Sequence, residues 1–228
     1  MGPRPSVELA CRILTDYYFP SVSRTSLLDT QKLRESHVVE LGSGTGLLGI
    51  VLSPFVAHYT LTDIPSLLPL IRKNLERNVP MPSNQSGKPA NGTRRNPPTV
   101  PTPPSYSIDS LDWLQLAATP APPLSTTTRA MYLSHSSPIS LILAVDCIYN
   151  TGPLLSAFLT TLDRLARSDK PGGTCPTALV VCELRDEDVI REFLEGWLSL
   201  PGWEVWSLEE GTLNGPVAVW VGVKSLVE

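Results

Sequence analysis

Short unbroken apolar runs alternate along the chain with longer stretches in which apolar residues recur every three or four positions, the pattern of strands separated by helices. Val38, Val39 and Leu41 form the first run, and Leu47, Leu48, Ile50, Val51 and Leu52 make the apolar side of a helix with Pro54 near its end. A second strand closes on Asp63, and Ile64 to Asn78 predicts a helix with Pro65 in its first turn, Leu67, Leu68, Leu70, Ile71 and Leu75 inward, and Arg72, Lys73, Glu76 and Arg77 outward. Upstream, Val7 to Tyr18 is a helix that should press Val7, Ala10, Cys11, Leu14 and Tyr18 against the sheet. A polar connection, Ser21 to Ser36, holds a short helical piece around Leu27 to Leu33. Downstream, Tyr106 to Leu116 carries a short third strand, and Leu141 to Val145 is a buried fourth. Leu154 to Ala166 is a helix closed by Pro171-Gly172-Gly173, Ala178 to Cys182 a fifth strand, and Asp186 to Trp197 a helix with Val189, Ile190, Phe193, Leu194 and Trp197 inward. Two alternating runs, Trp203 to Leu208 and Val217 to Val223, joined through Glu209 to Pro216, end the chain as a hairpin. The prediction is an α/β fold: a doubly wound, Rossmann-like seven-stranded sheet, mostly parallel, with a C-terminal antiparallel hairpin and helices on both faces.

Composition interrupts this pattern once. Eleven of the 23 prolines fall between Pro80 and Pro123, among Ser, Thr, Asn and Gly. Such a segment buries too little apolar area to offset its ordering, so a disordered insertion is expected at about 80–104 within a single domain spanning 1–228. The net charge of −4 offers no basic field for nucleic acid or an anionic membrane. It is compatible with a basic protein substrate. The four cysteines, Cys11, Cys147, Cys175 and Cys182, have no C-x-x-C or zinc spacing, and His37, His58 and His135 have no metal-binding spacing, so no metal site is expected. No apolar run reaches the ~18 residues of a membrane helix and the N-terminus lacks a leader's apolar core, so the expected location is the cytoplasm, with the nucleus also open.

Candidate chemistry concentrates where the first strand turns into its helix. Gly42, Gly44 and Gly46 supply a turn whose backbone a ligand can approach closely, because no Cβ intervenes. A dinucleotide site needs G-x-G-x-x-G directly after the strand. From Gly42 the last position is Leu47, and the matching register Gly44, Gly46, Gly49 starts three residues late. A small NAD-dependent oxidoreductase is therefore the weaker reading, lacking a Tyr-x-x-x-Lys pair and the length for a second domain. Asp146-Cys147-Ile148-Tyr149 leaves the fourth strand at its carboxyl end, where open α/β sheets bind ligands, and so points at the same crevice.

The E-x-G-x-G-x-G run from Glu40 to Gly46 resembles motif I of the class I methyltransferases. With Asp63 ending L-T-D, Trp113 in L-D-W, Asp146 to Tyr149 as D-x-x-Y and the closing hairpin, the chain resembles the seven-strand protein-lysine methyltransferases called methyltransferase family 16. Within it, the DCIYN stretch and Val181 to Val189 look closest to the fungal enzymes that modify a large-subunit ribosomal protein. The resemblance implies S-adenosyl-L-methionine as cofactor, with Glu40 and Gly46 in its binding motif, Gly42, Ser43 and Gly44 at its methionine and ribose portion, Asp63 at its ribose, and Trp113 and the backbone of Val145 at its adenosine. It implies Asp146 and Tyr149 as the catalytic pair, orienting an incoming lysine. The implied partner is a protein of the translation machinery, a ribosomal protein before an elongation factor, met by a monomer without direct nucleic-acid contact. The family's tryptophan in the helix before the first strand has no counterpart before Trp113, so the chain reads as starting inside that helix. On that ground a non-catalytic binding module of the same fold is the alternative to an enzyme.

Overall fold

The computed structural model describes residues 4–19, 26–79, 104–120, 132–149, 152–167, 174–209 and 211–225. The insertion expected at about 80–104 lies outside them except for Pro104, as does the Pro171 to Gly173 helix stop. Seven strands form one sheet: β1 (His37–Leu41), β2 (His58–Asp63), β3 (Tyr106–Ser110), β4 (Leu141–Val145), β5 (Thr177–Glu183), β6 (Trp203–Ser207) and β7 (Val217–Lys224). Their spatial order is β3-β2-β1-β4-β5-β7-β6. The first five are parallel; β7 pairs antiparallel with β5 and with β6. The chain winds outward from β1 to β3, then returns to lay β4 on the other side of β1. A crevice therefore opens at the carboxyl ends of β1 and β4, where an open sheet of this kind receives its ligand.

Strand pleating splits the apolar residues between two cores. Val39, Leu41, Ile142, Ala144 and Val180 face one layer, covered by α5 (Trp113–Ala118), α6 (Pro153–Leu165) and α7 (Glu187–Leu198). Val38, Leu143, Leu179 and Val181 face the other, covered by α1 (Pro5–Tyr18), α3 (Leu47–Leu52) and α4 (Leu68–Asn78). A short α2 (Thr30–Glu35), capped by Asp29, leads into β1. No helix among the described residues is long and apolar enough to cross a membrane.

Two helical faces differ from the periodicity reading. In α1 the buried stripe is Leu9, Ala10, Ile13 and Asp16, while Val7, Cys11 and Tyr18 are exposed. Two apolar stripes share this helix, and the one that buries carries an acid that pattern reading sets outside. Asp16 is satisfied there by Arg12 and by the backbone N–H of Leu27 at 2.7 Å, which removes the usual cost of a buried carboxylate. In α4 the helix begins at Leu68, with Pro69 rather than Pro65 in its first turn, so Ile64 to Leu67 form a turn and Leu70 is exposed.

Candidate active site

The glycine turn is shaped by backbone conformation before any ligand is considered. Gly42, Gly44 and Gly46 all have positive φ, at 67°, 56° and 76°, values that a Cβ makes costly. Their surroundings differ. A Cβ at Gly46 would meet Leu75 Cδ1 at 2.9 Å, so this glycine lets α4 pack against the turn and does not face the crevice. A Cβ at Gly42 would meet Cys147 Sγ at 2.9 Å and the Trp113 ring at 3.4 Å. A Cβ at Gly44 would meet nothing within 4 Å, so bare backbone faces open space there.

Neighbouring strands lock the turn. Ser43 donates its backbone N–H to the Thr62 carbonyl at 2.9 Å, and its hydroxyl accepts the Thr62 N–H at 3.1 Å. Asp63, buried at the end of β2, accepts the Gly44 N–H on Oδ2 and the Ile64 N–H on Oδ1, both at 2.8 Å. Each oxygen keeps a second lone pair for a further donor.

The opposite wall comes from α5 and the end of β4. Asp112 caps α5 by accepting the N–H groups of Leu114 and Gln115, a contact worth about 1 kcal/mol. The cap holds Trp113 edge-on to Phe158, with ring centroids 5.1 Å apart. Asp146 follows β4 with φ 58°, the one described non-glycine residue at positive φ, and its N–H donates to the Val181 carbonyl at 2.7 Å. Its Oδ2 accepts from Arg185 Nη2 at 2.8 Å. Arg185 also donates to Glu183, so a guanidinium links the carboxylates that end β4 and β5. Cys147 donates its thiol to the Leu41 carbonyl at 3.1 Å, and burial pushes that thiol well above its usual range. It is a packing donor, not a nucleophile. Tyr149 stands exposed at the mouth.

Together these residues bound a cleft of about 590 Å³, within the range of small-molecule sites. Of the residues singled out in the sequence, Gly42, Gly44, Asp63, Trp113, Asp146 and Tyr149 line it. Glu40, Ser43, Gly46 and Val145 do not: the pleat turns Glu40 and Val145 toward the α1, α3 and α4 side, and Ser43 is spent on β2. Leu67, Leu111 and Leu154 also line the cleft and carried no signal beyond their apolarity. The donor set suits a nucleoside-bearing cation. It combines bare backbone at Gly44, an acid at Asp63, an aromatic face at Trp113, and the buried Trp113 Nε1 without a hydrogen-bond partner among the described residues.

Glu40 sits beneath the turn, buried, with Oε2 unpartnered among the described residues. Burial lifts its carboxyl to about 8; Ser43 and Tyr59 pull it back, and Asp63 adds to the rise. The three histidines, remote in sequence, meet at the amino-terminal ends of β1 and β2. His58 stacks on His135 at 3.5 Å, and His37 lies edge-on to both. Burial, then His135 and His37, lowers His58 to about 4. Among the described residues no group of three His, Cys, Asp or Glu could hold a metal ion.

These two groups set opposite slopes of stability against pH. Neutral His58 in the fold protonates on unfolding, so its contribution is lost as pH falls from about 6.5 towards 4. Protonated Glu40 ionises on unfolding, so its contribution is lost as pH rises from about 4.5 to 8. Thermal midpoints should therefore fall from about pH 6.5 to 8, where Glu40 acts without His58. Glu40→Gln should flatten that decline. A variant as pH-sensitive as the parent would contradict the assignment.

A family model described as lysine methyltransferase matches residues 9–87. Ribosomal lysine N-methyltransferase 5 of Eremothecium gossypii is 32% identical over 166 residues, covering 69% of this chain and 48% of that protein. A Schizosaccharomyces pombe protein named diaminohydroxyphosphoribosylamino-pyrimidine deaminase is 33% identical over 162 residues, covering 71% of this chain and 30% of that one. The chain thus spans less than half the length of either relative. Among solved structures, an O-methyltransferase from Bacillus cereus in complex with SAH superposes with a TM-score of 0.50 at 13% identity, covering 99% of this chain and 93% of that one. That likeness bears on the fold alone.

Proposed function

We propose that the protein is an S-adenosylmethionine-dependent protein-lysine N-methyltransferase acting on the translation machinery, a reading supported by the match of residues 9–87 to a family model described as lysine methyltransferase. The observation that carries the proposal is one cleft in which the glycine turn after β1 faces the Asp146–Tyr149 corner after β4. One half of the cleft suits a nucleoside-bearing donor. The other suits a cationic acceptor.

S-adenosylmethionine, when bound, supplies a methyl group on a positively charged sulfur, which an amine lone pair takes as the carbon–sulfur bond breaks and its electrons stay on sulfur. Asp63 would accept from ribose hydroxyls, the Gly42 and Gly44 backbone would lie against the ribose and methionine portion, and Trp113 would face the adenine. A free lysine has a pKa of ~10.4, so the acceptor arrives as an ammonium and must lose its proton to water before its lone pair can react. Asp146 would orient it by accepting a hydrogen bond, and Tyr149 at the mouth would add a cation–π face. The geometry at Asp146 favours an ammonium over a guanidinium. Its Oδ1 is buried and its Oδ2 already accepts from Arg185, which leaves a single point of contact where a guanidinium fork would need two.

The name of the Eremothecium gossypii relative supports a ribosomal protein as the first choice of substrate, with an elongation factor as the second and the cytoplasm as the proposed location. The test is labelling of purified large ribosomal subunits and of the ribosome-free cytosol with methyl-tritiated S-adenosylmethionine. A labelled ribosomal band is expected; label confined to a soluble factor would move the substrate to the second choice.

A further inference from the structure

Resting on that reading of the site, we propose that Arg185 is a positioning residue: it shares the Asp146 carboxylate with the acceptor and, by its like charge, drives the acceptor's proton off.

Asp146 is 27% exposed at its side chain, yet its Oδ1 is buried, so the oxygen within reach of the cleft is Oδ2. Arg185 Nη2 already donates to that oxygen at 2.8 Å. A carboxylate oxygen accepts two donors, so an entering ammonium can bind without expelling Arg185. Glu183 makes expulsion less favourable still, taking Arg185 Nε at 2.9 Å and Nη2 at 2.6 Å. Two donors on one oxygen stand about 4–5 Å apart. At that range a fixed guanidinium disfavours the charged form of the acceptor, while Asp146 still fixes its direction.

The other groups around this point leave the cation in place. Asp186 is committed to capping α7. Cys147 and Cys182 are thiols raised by burial and donate to carbonyls. Asp63 and Asp112, across the cleft, are engaged with backbone N–H groups, and Tyr149 stands at the mouth. The hydrogen bond to Glu183 keeps Arg185 charged throughout the working range. The acceptor proton leaves to water through the open mouth, and the freed lone pair forms the new nitrogen–carbon bond.

The experiment compares wild type, Arg185→Gln and Arg185→Lys, using large ribosomal subunits and saturating S-adenosylmethionine across pH 6 to 10. The acid limb of kcat reports groups in the bound complex. In Arg185→Gln it should move about one pH unit to the alkaline side, giving a rate about tenfold lower at pH 7 that converges on wild type at high pH. Arg185→Lys, which keeps the charge, should track wild type. Calorimetric affinity for S-adenosylmethionine should be the same in all three. A uniform loss at every pH, or Arg185→Lys behaving like Arg185→Gln, would overturn this inference alone. A wild-type protein that transfers no methyl group would overturn the site reading beneath it.

Discussion

Asp146→Asn is expected to lower methyl transfer by about a hundredfold or more while leaving S-adenosylmethionine affinity within about twofold, because it removes the charge proposed to orient the acceptor. Asparagine is the informative replacement. Asp146 sits at φ 58°, a conformation asparagine adopts more readily than alanine, so the corner after β4 and its bond to the Val181 carbonyl are kept. What changes is the charge on Oδ2. Arg185 then falls back on Glu183, with which it already makes two hydrogen bonds. The acceptor ammonium loses its directional anchor and meets the guanidinium without a neutralising carboxylate. Transfer rates and calorimetric titrations on the same preparation separate the two effects. Activity within a few-fold of wild type would mean that Asp146 only shapes the loop.

Asp63→Ala is expected to strike the other half of the cleft. Asp63 holds the Gly44 and Ile64 N–H groups at 2.8 Å, so its loss both removes the proposed ribose acceptor and frees the turn. Two hydrogen bonds to a charged group are each worth about 1.5–3 kcal/mol. At the low end that is roughly a hundredfold in S-adenosylmethionine affinity. Asp63→Asn, which keeps one acceptor oxygen, should fall between. The same titration with NAD addresses the register from Gly44 to Gly49. NAD binding tighter than S-adenosylmethionine in the wild type would return the site to the dinucleotide reading.

The parts of this architecture confined to one β-α-β unit were open to reading from the chain alone. The glycine turn, α3 and the acid closing β2 are neighbours in sequence, and local pattern suffices for them. The seven mostly parallel strands and the closing hairpin followed from alternation and from the resemblance. Strand ends brought the Asp146 corner to the glycine turn, but individual side-chain contacts between distant segments were not legible. Arg185 reaches Asp146 across the β4–β5 pairing, and the three histidines meet only because β1 and β2 start side by side with His135 folded over them. Nor did motif membership say which way a side chain points. Glu40 belongs to the glycine motif, but pleating buries it beneath the turn, where its raised carboxyl bears on stability instead of lining the cleft. Asp16 carried no signal of its burial, since a buried, satisfied acid resembles a surface residue until its partners are seen.

The two halves of one cleft are proposed to move a methyl group to a lysine. Acid hydrolysis and amino-acid analysis of protein labelled by this chain with methyl-tritiated S-adenosylmethionine tests it most directly. Tritium is expected in methylated lysine with wild type and is lost with Asp146→Asn. Label in methylarginine, or no label from a protein that binds the cofactor, would contradict it.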